Sequence, residues 1–359
     1  MSLKVVQWTS GGVARQAVRA IIAHPALELV GMYAHSERKV GIDAGELVGL
    51  EPLGISASND IAKLIALAPH CVSYSPLYPD IDHLVQLLEA GINIVTTCNF
   101  ITGWGVNLRQ EKYGPDACAR IEAAAQQGGA SIFGTGINPG HINYMACIMS
   151  AYCQDIQQIK VTESVDVFNF VGDANMDDIG FGLPPNSPGH DEMIRRETSV
   201  FGDAIQLMAR MMDTRLDDIC CKTDYAYATE DIDAPGRFIA QGHVGGVKIR
   251  WQGLVDGKVV FENRQVWIAG TAIDTDWKVQ HGYIIDIKGN PNLHNVMIPI
   301  PQGDLSQMSY QDFNALGMRI TALPSINAIA AVCAAAPGIV TYNDLPPITG
   351  CGRLAAHSS

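Results

Sequence analysis

Positive charge is scarce in this chain: 24 Lys and Arg stand against 37 Asp and Glu over 359 residues, a formal net charge of −13. So acidic a protein repels phosphate backbones and anionic headgroups, which excludes nucleic acid and a membrane surface as expected partners. No segment approaches the roughly 18 uninterrupted apolar residues of a membrane span. Strand-like sequence begins at Leu3, leaving no room for a signal peptide, so a cytoplasmic protein is expected. The nine cysteines include no C-x-x-C pair, and the adjacent Cys220 and Cys221 lack metal-ligand spacing. An odd number without secretory features reads as reduced core thiols. Histidines at i, i+4, a G-x-S-x-G elbow and a G-x-x-x-x-G-K-[ST] loop are all missing, which excludes zinc-hydrolase, serine-hydrolase and P-loop chemistry. No metal is expected.

What is present starts at the N-terminus. Leu3 to Trp8 reads as a buried strand, and Thr9-Ser10-Gly11-Gly12-Val13-Ala14 leads from it into an apolar-periodic helix carrying Ala17, Val18, Ile21 and Ile22. A dinucleotide fingerprint needs small residues for the turn, for backbone approach to the pyrophosphate and for helix–strand packing. Thr9, Gly11 and Ala14 occupy those places. Residues 27–33 form a second strand ending at Ala34-His35-Ser36, where an acid would bind the 2′-hydroxyl of NAD. No acid is there; His35, Ser36, Arg38 and Lys39 offer a hydroxyl and cations instead, which favours NADP(H) over NAD(H).

Strand and helix patterns continue to alternate over 61–68, 70–74, 81–90, 92–97, 115–127 and 130–134. The expected fold class is α/β: an N-terminal Rossmann doubly wound parallel sheet over residues 1–143, with its ligand at the carboxyl ends of the strands. Those ends are 9–14, 35–39, 74–78, 97–100 and 135–141, so Thr97, Cys98, Asn138 and Pro139 join the cofactor candidates. After about residue 143 the texture changes to long alternating runs (159–170, 222–229, 236–255, 258–268), with a hairpin turn at Val255-Asp256-Gly257-Lys258. This indicates a second α+β domain over 144–320 with a mixed or antiparallel sheet, a helix over 192–212, and a C-terminal helix and tail over 321–359 that pack back on the first domain. With 47% hydrophobic and only 17% charged residues, a homo-oligomer is expected.

Thr96-Thr97-Cys98-Asn99, Gly134-Thr135-Gly136-Ile137-Asn138-Pro139-Gly140, Lys39-Val40-Gly41 with Asp43-Ala44-Gly45, Phe181-Gly182, and Asn327 with Ala336-Pro337-Gly338-Ile339 together resemble the dihydrodipicolinate-reductase-like oxidoreductases. That group includes 2,4-diaminopentanoate dehydrogenase and the native amine dehydrogenases. The resemblance implies a homodimeric NAD(P)H enzyme moving hydride to or from a carbon that bears oxygen or nitrogen. In its amine-processing members a glutamate follows T-T-x, and this chain has Asn99 there. An amide cannot exchange a proton at neutral pH, although it can polarise a carbonyl.

The proton therefore needs another carrier. His141, after Asn138-Pro139-Gly140, is the first candidate, with Tyr144 as the alternative donor. Glu163, Asp166 and a His190-Asp191-Glu192 cluster on a loop are further acids and bases to place, and Trp104, Phe168, Phe170, Phe181, Trp251 and Trp277 are candidates to line an apolar substrate pocket. Three readings follow: reduction of a small or medium carbonyl or imine, reductive amination, and a non-catalytic NADP(H) or ligand sensor.

Overall fold

Val5, Val6, Gln7 and Trp8 are all buried, without the alternation of a half-exposed strand, because parallel strands are covered on both faces. The computed structural model describes residues 2–98, 101–102, 113–304 and 307–354. In it the chain forms two units, Met1–His141 with Asp304–Ser359, and Ile142–Gly303.

The first unit runs β1 (Leu3–Trp8), α1 (Gly12–Ile22), β2 (Leu27–Tyr33), α2 (Ala44–Leu47), α3 (Ile61–Ala66), β3 (Cys71–Tyr74), α4 (Ile81–Glu89), β4 (Asn93–Thr96), α5 (Ala117–Gly128) and β5 (Ser131–Gly134). Asp60 and Asp80 cap α3 and α4 by accepting the N–H groups of Lys63 and His83.

The second unit opens with α6 (Ile142–Met149), followed by β6 (Asp155–Asp166), α7 (His190–Glu197), α8 (Val200–Met211), β7 (Asp218–Tyr227), β8 (Ile232–Ala234), β9 (Arg237–Ile239), β10 (Val244–Val255), β11 (Lys258–Ile268), β12 (Gly282–Asn290) and β13 (Leu293–Met297). Its main sheet has the order β13-β12-β6-β11-β10-β7 and is mixed: β6 and β11 are parallel, the other pairs antiparallel. The expected hairpin is present, with Asp256 at φ 49° and Gly257 at φ 70°, the left-handed pair that a two-residue turn between twisted strands requires. The helix expected over 192–212 is two, α7 and α8.

The chain then returns to the first unit at Asp304, ahead of the expected residue 321, through α9 (Tyr310–Cys333) and β14 (Gly338–Val340). β14 pairs with β5 and completes a six-stranded, wholly parallel sheet in the order β14-β5-β4-β3-β1-β2. The chain reverses direction across this sheet between β1 and β3, which is where doubly wound folds place their ligand. One face is covered by α3, α4 and α5 over Val6, Val72, Ile94 and Ile132. On the other, α1 and α9 pack together, and Gly12 gives them close approach, since a Cβ there would lie 3.3 Å from the Met318 side chain. By length and composition α9 could cross a membrane. Its buried Ala322, Ile326, Ile329 and Val332, and its packing on α1, β4 and β5, make it a core helix of this unit.

Candidate active site

The turn after β1 has the backbone of a dinucleotide fingerprint without its first glycine. Thr9 sits at φ 75°, a left-handed conformation that a β-branched residue rarely adopts. It is held there by its N–H to the Tyr33 carbonyl at 2.9 Å and its hydroxyl to the Ser75 carbonyl at 3.1 Å. Gly11 is the N-cap of α1, with no side-chain cap and no acid in the first turn, so the helix presents N–H groups and the positive end of its dipole. A Cβ on Gly11 would meet nothing within 4 Å, whereas Ala14 is fully buried. The space above Gly11 is what a pyrophosphate needs, and the residues present fit that group.

A cavity of about 550 Å³ opens from this turn, lined on one side by Thr9, Ser10 and Gly11 and on another by His35, Ser36 and Lys39. The Lys39 ammonium donates to the buried Ser10 hydroxyl at 2.9 Å, joining the two sides. Arg38 departs from expectation: the 3-10 turn Glu37–Lys39 leaves it exposed and outside the cavity lining. Gly12, Val13 and Ala14 do not line it either; they contribute the first turn of α1. The third side is the segment after β3: Tyr74 to Tyr78, a strand end expected from the sequence, with Asp80 and His83, which were not anticipated.

Thr97, Cys98, Asn138 and Pro139 follow β4 and β5 at the carboxyl edge of the same sheet. Burial pushes the Cys98 thiol up to about 12. The Asn138–Pro139 peptide is cis, and the segment Ile137–His141 leads to His141, whose N–H bonds to the Gly136 carbonyl at 2.9 Å. Burial holds the His141 imidazole below its ordinary value of 6.5. Its Nδ1 lies 3.4 Å from the hydroxyl of Tyr342, which is 2.6 Å from the hydroxyl of Thr135. Tyr342, just past β14, was not anticipated. Asn99 and Trp104 lie outside the described residues.

In the second unit Tyr144 is buried in the first turn of α6. Glu163 accepts from the Trp267 indole at 3.1 Å, and Asp166 accepts the backbone N–H groups of Phe168 and Gly270, a structural role. His190 is buried, stacked on Tyr225 at 4.4 Å and bonded to the Ile179 carbonyl at 2.8 Å, so it belongs to a packed helix start. Of the aromatic candidates, Phe181 and Trp251 are core, and Trp277 lies under the Lys248 ammonium at 4.3 Å. No cluster of three metal-ligating side chains occurs among the described residues.

Residues 141–354, more than half of the chain, match the profile of the 2,4-diaminopentanoate dehydrogenase C-terminal domain. The chain belongs to the 2,4-diaminopentanoate dehydrogenase family. Along 99% of its length it is 27% identical, over 372 residues, to all of an amine dehydrogenase from Streptomyces virginiae. It is 25% identical over 270 residues to the 2,4-diaminopentanoate dehydrogenase of Acetoanaerobium sticklandii, covering 74% of this chain and 69% of that one. The structure of the amine dehydrogenase from Mycobacterium smegmatis superposes with a TM-score of 0.76 over 99% of both chains at 21% identity, a likeness of fold. This family member is an NAD(P)-dependent oxidoreductase acting on small molecules, and the sensor reading gives way to the enzyme. The fingerprint turn and its cavity fit the nicotinamide cofactor of that class.

Proposed function

We propose that this enzyme prefers NADP(H) to NAD(H) and transfers hydride between the nicotinamide and the carbon of a small or medium-sized carbonyl or imine. The observation that carries the cofactor choice is Lys39 bonded to Ser10 across the cavity. An ammonium stands at the ribose end of the site, where an NAD-selective fold puts a carboxylate. A 2′-phosphate takes over that ammonium, with Ser36, which caps the same 3-10 turn and lines the cavity, to add a contact. Gly11 and the N-terminus of α1 hold the pyrophosphate.

The bound cofactor supplies or accepts the hydride. The chain handles the proton, and His141 carries it: the neutral imidazole accepts a proton from the substrate in oxidation and returns it in reduction. Tyr342 and Thr135 orient the ring through Nδ1. Tyr144 is the alternative donor. A second reading, reductive amination, is supported by the full-length match to an amine dehydrogenase. Asn99 in the place of a glutamate weighs against it.

The test is NADPH consumption with a panel of ketones and aldehydes, with and without ammonium. Carbonyl-dependent oxidation of NADPH without ammonium is expected, with kcat/KM at least about tenfold above that for NADH, the effect of one charge-assisted contact. Turnover only with ammonium establishes the second reading. Equal use of NADH removes the cofactor preference. The proposal includes a cytoplasmic homodimer, and a monomer by light scattering removes that part.

A further inference from the structure

The cofactor cavity has three sides, two of which take the pyrophosphate and the ribose. With the pyrophosphate on Gly11 and the ribose beside Ser36 and Lys39, the base of the dinucleotide falls to the third, the segment from Tyr74 to His83. Its exposed Leu77 and Tyr78 offer a flat ring apolar contact. Beneath them Trp8 and Tyr33, at the ends of β1 and β2 and almost wholly buried, stack on each other at 4.0 Å with 6° between their planes, and His83 stands edge-on to both at 5.7 Å, a rigid floor.

Polar capacity on this side is largely committed. The Ser75 carbonyl accepts from Thr9, and the Asp80 N–H donates to the Tyr74 hydroxyl at 2.9 Å. Asp80 Oδ1 caps α4 through the His83 N–H at 3.1 Å. Asp80 Oδ2 lies 3.6 Å from His83 Nε2, on a side chain that is 52% exposed. A carboxylate oxygen therefore stands at the cavity with acceptor capacity left. Its charge reaches the aromatic floor, where burial first and Asp80 second raise the Tyr33 phenol above its ordinary value.

Adenine offers a donor at its exocyclic amino group; hypoxanthine has a carbonyl oxygen at that position, which a carboxylate repels. We infer that Asp80 reads the exocyclic amino group of the cofactor's adenine and so makes the site selective for the base. This rests on the cofactor reading of the first unit. A purely structural cap is distinguishable, because Asn and Ser cap helices about as well as Asp.

The experiment compares binding of NADPH and of its hypoxanthine counterpart by nicotinamide fluorescence, in the intact protein and in Asp80→Asn and Asp80→Ser. Each ratio is taken within one preparation, so a partly folded variant still reports. The unaltered protein is expected to bind NADPH about tenfold more tightly than the hypoxanthine form. Asp80→Ser brings the ratio near one. Asp80→Asn, whose amide can donate to the carbonyl, brings it to one or reverses it. A ratio near one in the unaltered protein, or one unchanged by both substitutions, overturns the inference while leaving the cofactor reading intact. Binding of neither dinucleotide overturns both.

Discussion

The Tyr342 hydroxyl lies 3.4 Å from Nδ1 of His141, so a residue beyond the last strand steadies the ring that closes the first unit. Burial depresses the His141 pKa below 6.5, so the ring is neutral at pH 7 and is a proton acceptor there. The oxidative rate should rise with pH through a value below 6.5 and then level off, and His141→Gln should lose that limb with a fall in kcat of about 10²-fold or more. Tyr342→Phe should lower kcat less and leave cofactor binding unchanged. The same shift has a stability consequence: below pH 6.5 the unfolded chain takes up a proton that the folded one resists. Stability is full above that pH and falls as pH drops toward the folded pKa. Melting temperatures at pH 7.5 and 5.5 should therefore differ less in His141→Gln than in the unaltered protein.

Gly11 separates folding from binding. Because a Cβ there meets nothing within 4 Å, Gly11→Val should leave the melting temperature within a few degrees. Its side chain enters the space of the pyrophosphate, so NADPH affinity should fall at least about 10²-fold, the scale of removing several backbone contacts to phosphate. Calorimetry and fluorescence titration on the same sample check both halves.

Thr9 occupies glycine geometry at φ 75°. Thr9→Ala keeps the strained backbone and loses the bond to Ser75, whereas Thr9→Gly loses the bond and relieves the strain. The glycine variant should be more stable than the alanine variant by about 1 kcal/mol in denaturant unfolding. The reverse order would mean that the turn is not left-handed.

Asn99 decides between the two substrate readings. If the amide there is what weakens amine chemistry, Asn99→Glu should raise ammonium-dependent turnover, and Asn99→Ala should lower carbonyl reduction. No change in either rate would remove this position from the chemistry.

Most of the first unit was legible because its strands are short, apolar and bounded by turn residues: Leu27–Tyr33 falls on the expected residues. Only the later part of α9 was legible, as the C-terminal helix expected from residue 321, since Pro324 inside it reads as a helix breaker when packing against α1 is not visible. β12 and the three-residue β14 were not foreseen, and β14 exists only through its pairing with β5. Site residues near one another in sequence, Thr9 to Gly11, could be read directly. Lys39 on Ser10, Asp80 on the third side of the cavity and Tyr342 beside His141 depend on the order of strands in the sheet, and composition carries no trace of that. Arg38 and Lys39 look equivalent in sequence; a 3-10 turn points one at Ser10 and the other outward.

The most direct test of the account is titration of the protein with NADPH and NADH, followed by nicotinamide fluorescence, with Lys39→Ala alongside. Micromolar NADPH binding, at least about tenfold tighter than NADH and reduced to the NADH level by Lys39→Ala, is the predicted result. Failure of both dinucleotides to bind would contradict the assignment of the cavity between Gly11, Lys39 and Asp80 as the cofactor site.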